Sequence, residues 1–173
     1  MKNFIVSIII FFYLLGSASS HINHYEKYNY LEYELFRNNK LIGYHKYDFI
    51  RNNEILTVKS VVDFKITKLG VDLYKYFAKS EEIYVNDVFS AFSSETKQNK
   101  KDKWLKIKTD KKKQELIIEG SSRNLKTSVD YIVGTWWNHE ILKAKAQISA
   151  ITGRVIEQNV TFIGKEKIKV GNK

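Results

Sequence analysis

The feature that most constrains this chain is a twelve-residue run, 55–66, built on Ile55, Thr57, Val58, Val61, Val62, Phe64 and Ile66. Residues branched at Cβ lose rotamer freedom in a helix and sit well on a pleated strand. The run is preceded by the polar turn Arg51-Asn52-Asn53-Glu54, and a turn of the same type, Arg37-Asn38-Asn39-Lys40, lies one strand earlier. Strand, Asn-rich turn, strand is a meander signal.

The same grammar continues in both directions. Residues 30–36 and 41–49 are aromatic-rich and partly alternating. Residues 88–96, 103–108, 115–120 and 127–133 read as further strands, with a hairpin around Thr109-Asp110-Lys111-Lys112-Lys113. Residues 69–84 fit either period: Leu69, Leu73, Tyr76 and Phe77 fall near helical spacing, while Tyr74, Tyr76 and Ala78 suit a strand that continues through Val85. The strand reading is favoured. Residues 140–150 are the best candidate for one short helix. A turn at Thr152-Gly153-Arg154, a strand over 154–163 and another over 165–170 complete the expectation. The fold class predicted is mainly β: a curved antiparallel sheet or partly closed β-barrel of eight to ten strands with one short helix. Val58, Val62, Phe64, Ile107, Ile118, Val133 and Ile156 are the expected core.

The first twenty residues do not belong to this pattern. Met1-Lys2-Asn3 is short and positive, residues 4–15 are apolar but for Ser7, and Gly16-Ser17-Ala18-Ser19-Ser20 is a run of small residues. That order is a signal peptide, with cleavage expected near Ser20–His21. The apolar stretch is too short for a bilayer core, which needs about twenty residues. The expected organisation is therefore a signal peptide over 1–20 and one antiparallel β domain over 21–173, in the periplasm or secreted.

Composition narrows the chemistry. The 173 residues include no cysteine, which excludes a disulfide framework, a thiolate metal site and a cysteine nucleophile. The formal charge is +10, and removal of Lys2 with the leader leaves +9. A basic exported protein favours anionic partners. The dominance of Lys over Arg is also what an AT-rich genome produces, so part of that signal is discounted.

Taken in order, Tyr33 with Leu35, Asn39-Lys40-Leu41-Ile42-Gly43-Tyr44-His45, Phe64-Lys65-Ile66, Tyr74-Lys75-Tyr76, Trp136-Trp137-Asn138, and Gln147 with Thr152-Gly153 resemble an uncharacterised exported bacterial family, domain of unknown function 6134. The resemblance covers most of the chain after the leader. It implies an extracytoplasmic β-sheet protein with no assigned activity and carries over no catalytic residue. It also implies further strands beyond Lys173, so the domain is expected to be truncated at its C-terminus.

No catalytic constellation is legible. The four His are residues 21, 24, 45 and 139, without a spaced carboxylate pair. No serine sits in a Gly-x-Ser-x-Gly elbow or a Ser-x-x-Lys setting. No metal site and no cofactor are expected. Trp136 and Trp137 are the sharpest local feature. If they lie on a strand, one faces the core and the other is available to stack a ligand or meet a membrane, although a turn would let both point inward. With Tyr44, His45, Tyr74 and Tyr76 they form the candidate ligand-binding set. Lys111, Lys112 and Lys113 are the candidate contact with an anionic membrane surface, the alternative being a solvated turn. Export argues against nucleic acid as the partner of the basic, aromatic-interleaved stretch 97–113.

The leading functional expectation is a non-enzymatic binding protein for an apolar or amphipathic envelope ligand such as a lipid. Its rivals are a structural protein that pairs through an open sheet edge and an envelope hydrolase. A cavity lined from alternate strand positions distinguishes the first, a flat sheet with a free edge the second, and converging His, Asp or Ser the third.

Overall fold

The computed structural model describes residues 25–167. The expected leader and its cleavage point, His21 and His24, and residues 168–170 of the expected last strand lie outside the described residues. Eight consecutive strands form one antiparallel meander: β1 (Tyr30–Arg37), β2 (Lys40–Asn52), β3 (Ile55–Lys68), β4 (Val71–Val85), β5 (Val88–Gln98), β6 (Lys101–Asp110), β7 (Glu115–Gly120) and β8 (Asn124–Ser128). The chain is mainly β, as its strand-and-turn pattern predicts. The sheet is open, not a closed barrel: β1 and β8 are its two edges.

The register sorts the inward side chains into rows that cross the strands. One row runs Phe49, Val58, Glu82, Phe92, Ile107, Ile118. Every member is buried, including the carboxylate in the middle. The next row runs Tyr47, Ser60, Ser80, Ser94, Leu105, Gly120, the next His45, Val62, Ala78, Thr96, Lys103, and the next Gly43, Phe64, Tyr76, Gln98, Lys101.

A small second layer covers part of this face. It comprises β9 (Ile132–Val133), a 3-10 turn (His139–Leu142), β10 (Ala146–Ile148) and β11 (Val155–Glu157). β10 pairs parallel to β9 and antiparallel to β11. Trp137 packs with Tyr47, Phe49, Leu56, Val58 and Tyr84, while Val133 and Ile148 pack with Phe92, Leu105, Ile107, Leu116 and Ile118. Burying such side chains contributes about 1.5–3 kcal/mol each. Gly153 turns the chain beneath this layer at φ 67°, where a Cβ would lie 2.7 Å from Ile118 and 2.9 Å from Leu105. Only glycine satisfies both constraints.

Three sequence expectations are corrected. The short helix over 140–150 is not a helix: its first residues form the 3-10 turn, and Ala146–Ile148 is a strand. Apolar residues spaced like one helical turn here bury Ala146 and Ile148 at period two, with Gln147 between them. The strand over 154–163 shrinks to Val155–Glu157. After it, Gln158 turns inward and its amide donates to the carbonyls of Ile141 and Ala144. Val160, Phe162 and Ile163 follow without strand pairing and exposed, and residues 165–167 are irregular as well. Of the expected core, Val58, Ile107, Ile118 and Val133 are buried. Val62, Phe64 and Ile156 are half-buried, the first two because they lie in rows the second layer does not cover.

A candidate ligand trough on the inner face

The uncovered rows form a trough across the middle of the inner face. Its floor is made of small side chains on three adjacent strands: Ala78 and Ser80, which are half-buried, and Ser60 and Thr96, which are buried. On one side stands the second layer, anchored by Ser94 Oγ, which donates to the Ala150 carbonyl at 2.5 Å. On the other stands an aromatic group. The Phe64 ring lies 5.1 Å from Tyr76 and 5.8 Å from Tyr74, and the two tyrosine rings stack 6.5 Å apart. These are separations at which rings attract beyond their area burial. Gly43 makes room for Phe64: a Cβ on Gly43 would sit 2.0 Å from the Asp63 carbonyl and 2.5 Å from Phe64. At the β6 end of these rows the trough meets Lys103, half-buried, and Lys101, exposed.

His45 closes the β2 end. Tyr47 has one hydroxyl proton, and the Thr135 carbonyl takes it at 2.7 Å. Toward His45 Nδ1, 3.4 Å away, the Tyr47 oxygen is therefore an acceptor. Nδ1 then carries the imidazole hydrogen, and Nε2 accepts from Ser60 Oγ at 2.9 Å. Burial pulls the His45 pKa down to about 4. A serine beside a histidine invites comparison with a nucleophile and its base. An imidazole with so low a proton affinity is a weak base, and the ring is oriented by a phenol, not a carboxylate. The pair is suited to offering a neutral hydrogen-bonding surface.

Next to it lies the buried carboxylate. Glu82 accepts from Thr135 Oγ1 at 3.0 Å, from Trp137 Nε1 at 2.8 Å and from the Tyr84 hydroxyl, which itself accepts from Asn138 Nδ2 at 3.3 Å. Burial raises the Glu82 pKa even though all three donors oppose that shift. Burial also raises the pKa of Tyr47 and of Tyr84. No side-chain nitrogen or oxygen is left buried without a partner among the described residues. This network fastens the second layer to the sheet, which fixes where the trough begins.

The sequence candidates divide accordingly. His45, Tyr74 and Tyr76 come together on the inner face. Tyr44 points to the opposite face, where Lys46 Nζ lies 4.4 Å from its ring centre. Trp137 is buried as the donor to Glu82. Trp136 is 75% exposed at φ 66°, in a segment that is not a strand. Lys111, Lys112 and Lys113 are exposed on a turn held by Asp110 Oδ1, which accepts from the backbone N–H of Lys112 and Lys113. That turn lies at the end of the sheet away from the uncovered rows. Sequence reasoning passed over Ser60, Ala78, Ser80, Thr96 and Glu82. The signal was there: small or acidic residues at inward positions of strands whose other inward residues are large.

On the outer face an open depression of about 840 Å³ is lined by Lys59, Lys79, Glu81, Glu95, Trp104 and Lys106. Lys59 pairs with Glu81 at 3.7 Å and Lys79 with Glu95 at 3.0 Å. These cross-strand pairs cancel locally, so the depression has the character of a solvated sheet face.

Fold and trough together define a class: an open antiparallel meander whose inner face is half covered by its own C-terminal layer and half lined by aromatic and small polar side chains. Residues 33–173 match the family model of the domain of unknown function DUF6134, and the chain belongs to that family. No curated protein and no solved structure matches it.

Proposed function

We propose that the protein is an exported, non-enzymatic binding protein for an amphipathic anionic ligand of the cell envelope, such as a lipid. The observation that carries this reading is the uncovered half of the inner face. A sheet buries its inward rows only if something covers them, and among the described residues the second layer packs on the rows of Leu56 and Val58 and on part of the next. The remainder presents Phe64, Tyr74 and Tyr76 beside a floor of small side chains, the composition of an apolar pocket with a few placed polar groups. In the proposed mode an acyl or isoprenoid chain lies across Ser60, Ala78 and Ser80 against the rings, and Lys101 and Lys103 meet the anionic head.

Native mass spectrometry of protein purified from its own envelope tests the reading directly. A co-purifying amphipath of defined mass is expected. In solution, a fluorescent fatty acid is expected to bind and to be displaced by unlabelled fatty acid. Phe64→Ala and Tyr76→Ala should each weaken it about five- to tenfold, the scale of one lost ring contact. Lys101→Gln with Lys103→Gln should weaken the fatty acid but not the matching alcohol. Equal affinity of parent and ring variants, in variants that still melt cooperatively, would remove the trough as the site.

A further inference from the structure

The β3–β4 hairpin outgrows the sheet that carries it. Registered pairing of β3 with β2 stops at Gly43–Phe64, and pairing of β4 with β5 stops at Tyr76–Gln98. Residues 65–75 lie beyond both limits and, among the described residues, find strand partners only in each other, through Ile66–Tyr74, Thr67–Asp72 and Lys68–Val71. Leu69, at the tip, stands five residues past Phe64, or about 17 Å at the rise of a strand. The base of this ribbon is clamped by Asn99, whose side chain accepts from Lys75 N at 2.8 Å and whose own N–H donates to the Lys75 carbonyl at 2.9 Å.

Its tip differs from the turns that are built on Asn and Asp. The β1–β2 and β4–β5 turns place Asn38-Asn39 and Asn86-Asp87 at positive φ, residue types that tolerate the left-handed region. The β3–β4 turn places Leu69 there, at φ 52°, followed by Gly70. A leucine in that conformation is disfavoured, and among the described residues no packing offsets it: Leu69 is 93% exposed. Val71 and Leu73 beside it are 62% and 56% exposed. Residues held in unfavourable backbone conformations cluster where the strain serves a function. Around the ribbon, at the same end of the sheet, stand the exposed cations Arg37, Lys40, Lys68, Lys97 and Lys100. The acids at this end are Glu34, Asp63 and Asp102, which share one cross-strand row with Lys97, and Asp72, which is engaged by Thr67 and Lys75.

We infer that residues 65–75 are a membrane-docking finger that inserts Leu69, Val71 and Leu73 into the surface of an anionic bilayer, with the surrounding lysines on the lipid headgroups. An apolar tip ringed by cations matches an interface with an apolar interior and a negative rim. The finger is rooted in the wall of the trough, since Phe64 and Tyr76 are its last residues inside the sheet. An amphipath leaving the bilayer would enter the aromatic end of the trough. The finger is defined by its own geometry and needs no ligand in the trough.

The test is co-sedimentation of the protein with vesicles of phosphatidylcholine alone or mixed with phosphatidylglycerol. Binding is expected to the mixed vesicles, falling with salt, and to be weak on phosphatidylcholine. Leu69→Asn should reduce vesicle affinity about tenfold, the scale of one leucine withdrawn from an apolar environment. Its melting temperature should hold or rise, because Asn suits the turn. Lys40→Gln with Lys68→Gln and Lys100→Gln should flatten the salt dependence. Fatty-acid binding in solution should be unchanged in Leu69→Asn, which separates failure of the finger from failure of the trough. Equal vesicle binding by Leu69→Asn and parent would overturn the inference. So would indifference to phosphatidylglycerol, or a concentration-dependent dimer that Leu69→Asn abolishes without any vesicle binding.

Discussion

The Trp137 indole donates to Glu82 Oε2 at 2.8 Å, joining residues 55 apart in sequence and tying the second layer to the centre of the sheet. A carboxylate in the middle of an otherwise apolar row is costly unless its oxygens are occupied, and here three donors occupy them. Glu82→Ala should therefore destabilise by on the order of 3–5 kcal/mol, since it orphans buried donors as well as opening a cavity. The Glu82 pKa is raised in the fold, so the native state holds that proton more tightly than the unfolded chain. The resulting stabilisation is full below the ordinary glutamate range and is lost as pH rises through the raised pKa. Glu82→Gln cannot titrate and should lack that decline; denaturant unfolding of both proteins across the acidic to neutral range reads it out.

His45 works in the opposite sense. Its pKa falls from 6.5 to about 4 on folding. Between those values the unfolded chain binds the proton and the native chain does not, so His45 contributes stability that is lost as pH falls from 6.5 toward 4. His45→Gln should flatten stability across that window. In NMR titrations the His45 ring signals of the parent should stay in the neutral position until about pH 4.

Backbone approach makes Gly43 the most demanding glycine of the sheet. Gly43→Ala forces a methyl group into the Asp63 carbonyl and the Phe64 backbone. A loss of at least 1–3 kcal/mol is expected, roughly the cost of overpacking. Ile107→Ala, by contrast, should cost about 2–5 kcal/mol by cavity formation at a fully buried site, and Val62→Ala, half-buried in the trough, less. Urea midpoints would rank the three. Equal losses at positions 62 and 107 would mean that the trough is covered.

Export is a separate proposal, resting on residues 1–20. The protein recovered from outside the cytoplasm should begin within a few residues of His21. N-terminal sequencing that returns an intact Met1 would reject it.

Much of the sheet was legible because period-two patterning and Asn-rich turns are local properties. Each of the eight long strands overlaps a run read from sequence, including β4, where helical and strand spacings competed. The candidate site was legible only in part. His45, Tyr74 and Tyr76 stood out as aromatic or titratable residues, whereas Ser60, Ala78 and Ser80 are marked only by being small among large inward residues, a signal that has meaning once the register tells which positions face inward. Tyr44 shows the limit from the other side: it is as aromatic as Tyr76, but its parity sends it to the outer face.

The chain by itself determined that it would pair neighbour to neighbour into an antiparallel sheet, because turn chemistry and β-branching act within a few residues. Only the tertiary structure decided how residues 129–167 would be used. Their apolar residues satisfy a short helix or a strand equally well in isolation. They became a 3-10 turn and three short strands, β9, β10 and β11, because Trp137, Ala146 and Ile148 had to reach the inner face while Thr135 and Trp137 reached Glu82. The same long-range choice decided which rows of the sheet would be core and which would remain a trough. Local pattern specifies that an inward face exists, but not which of its rows the second layer packs against.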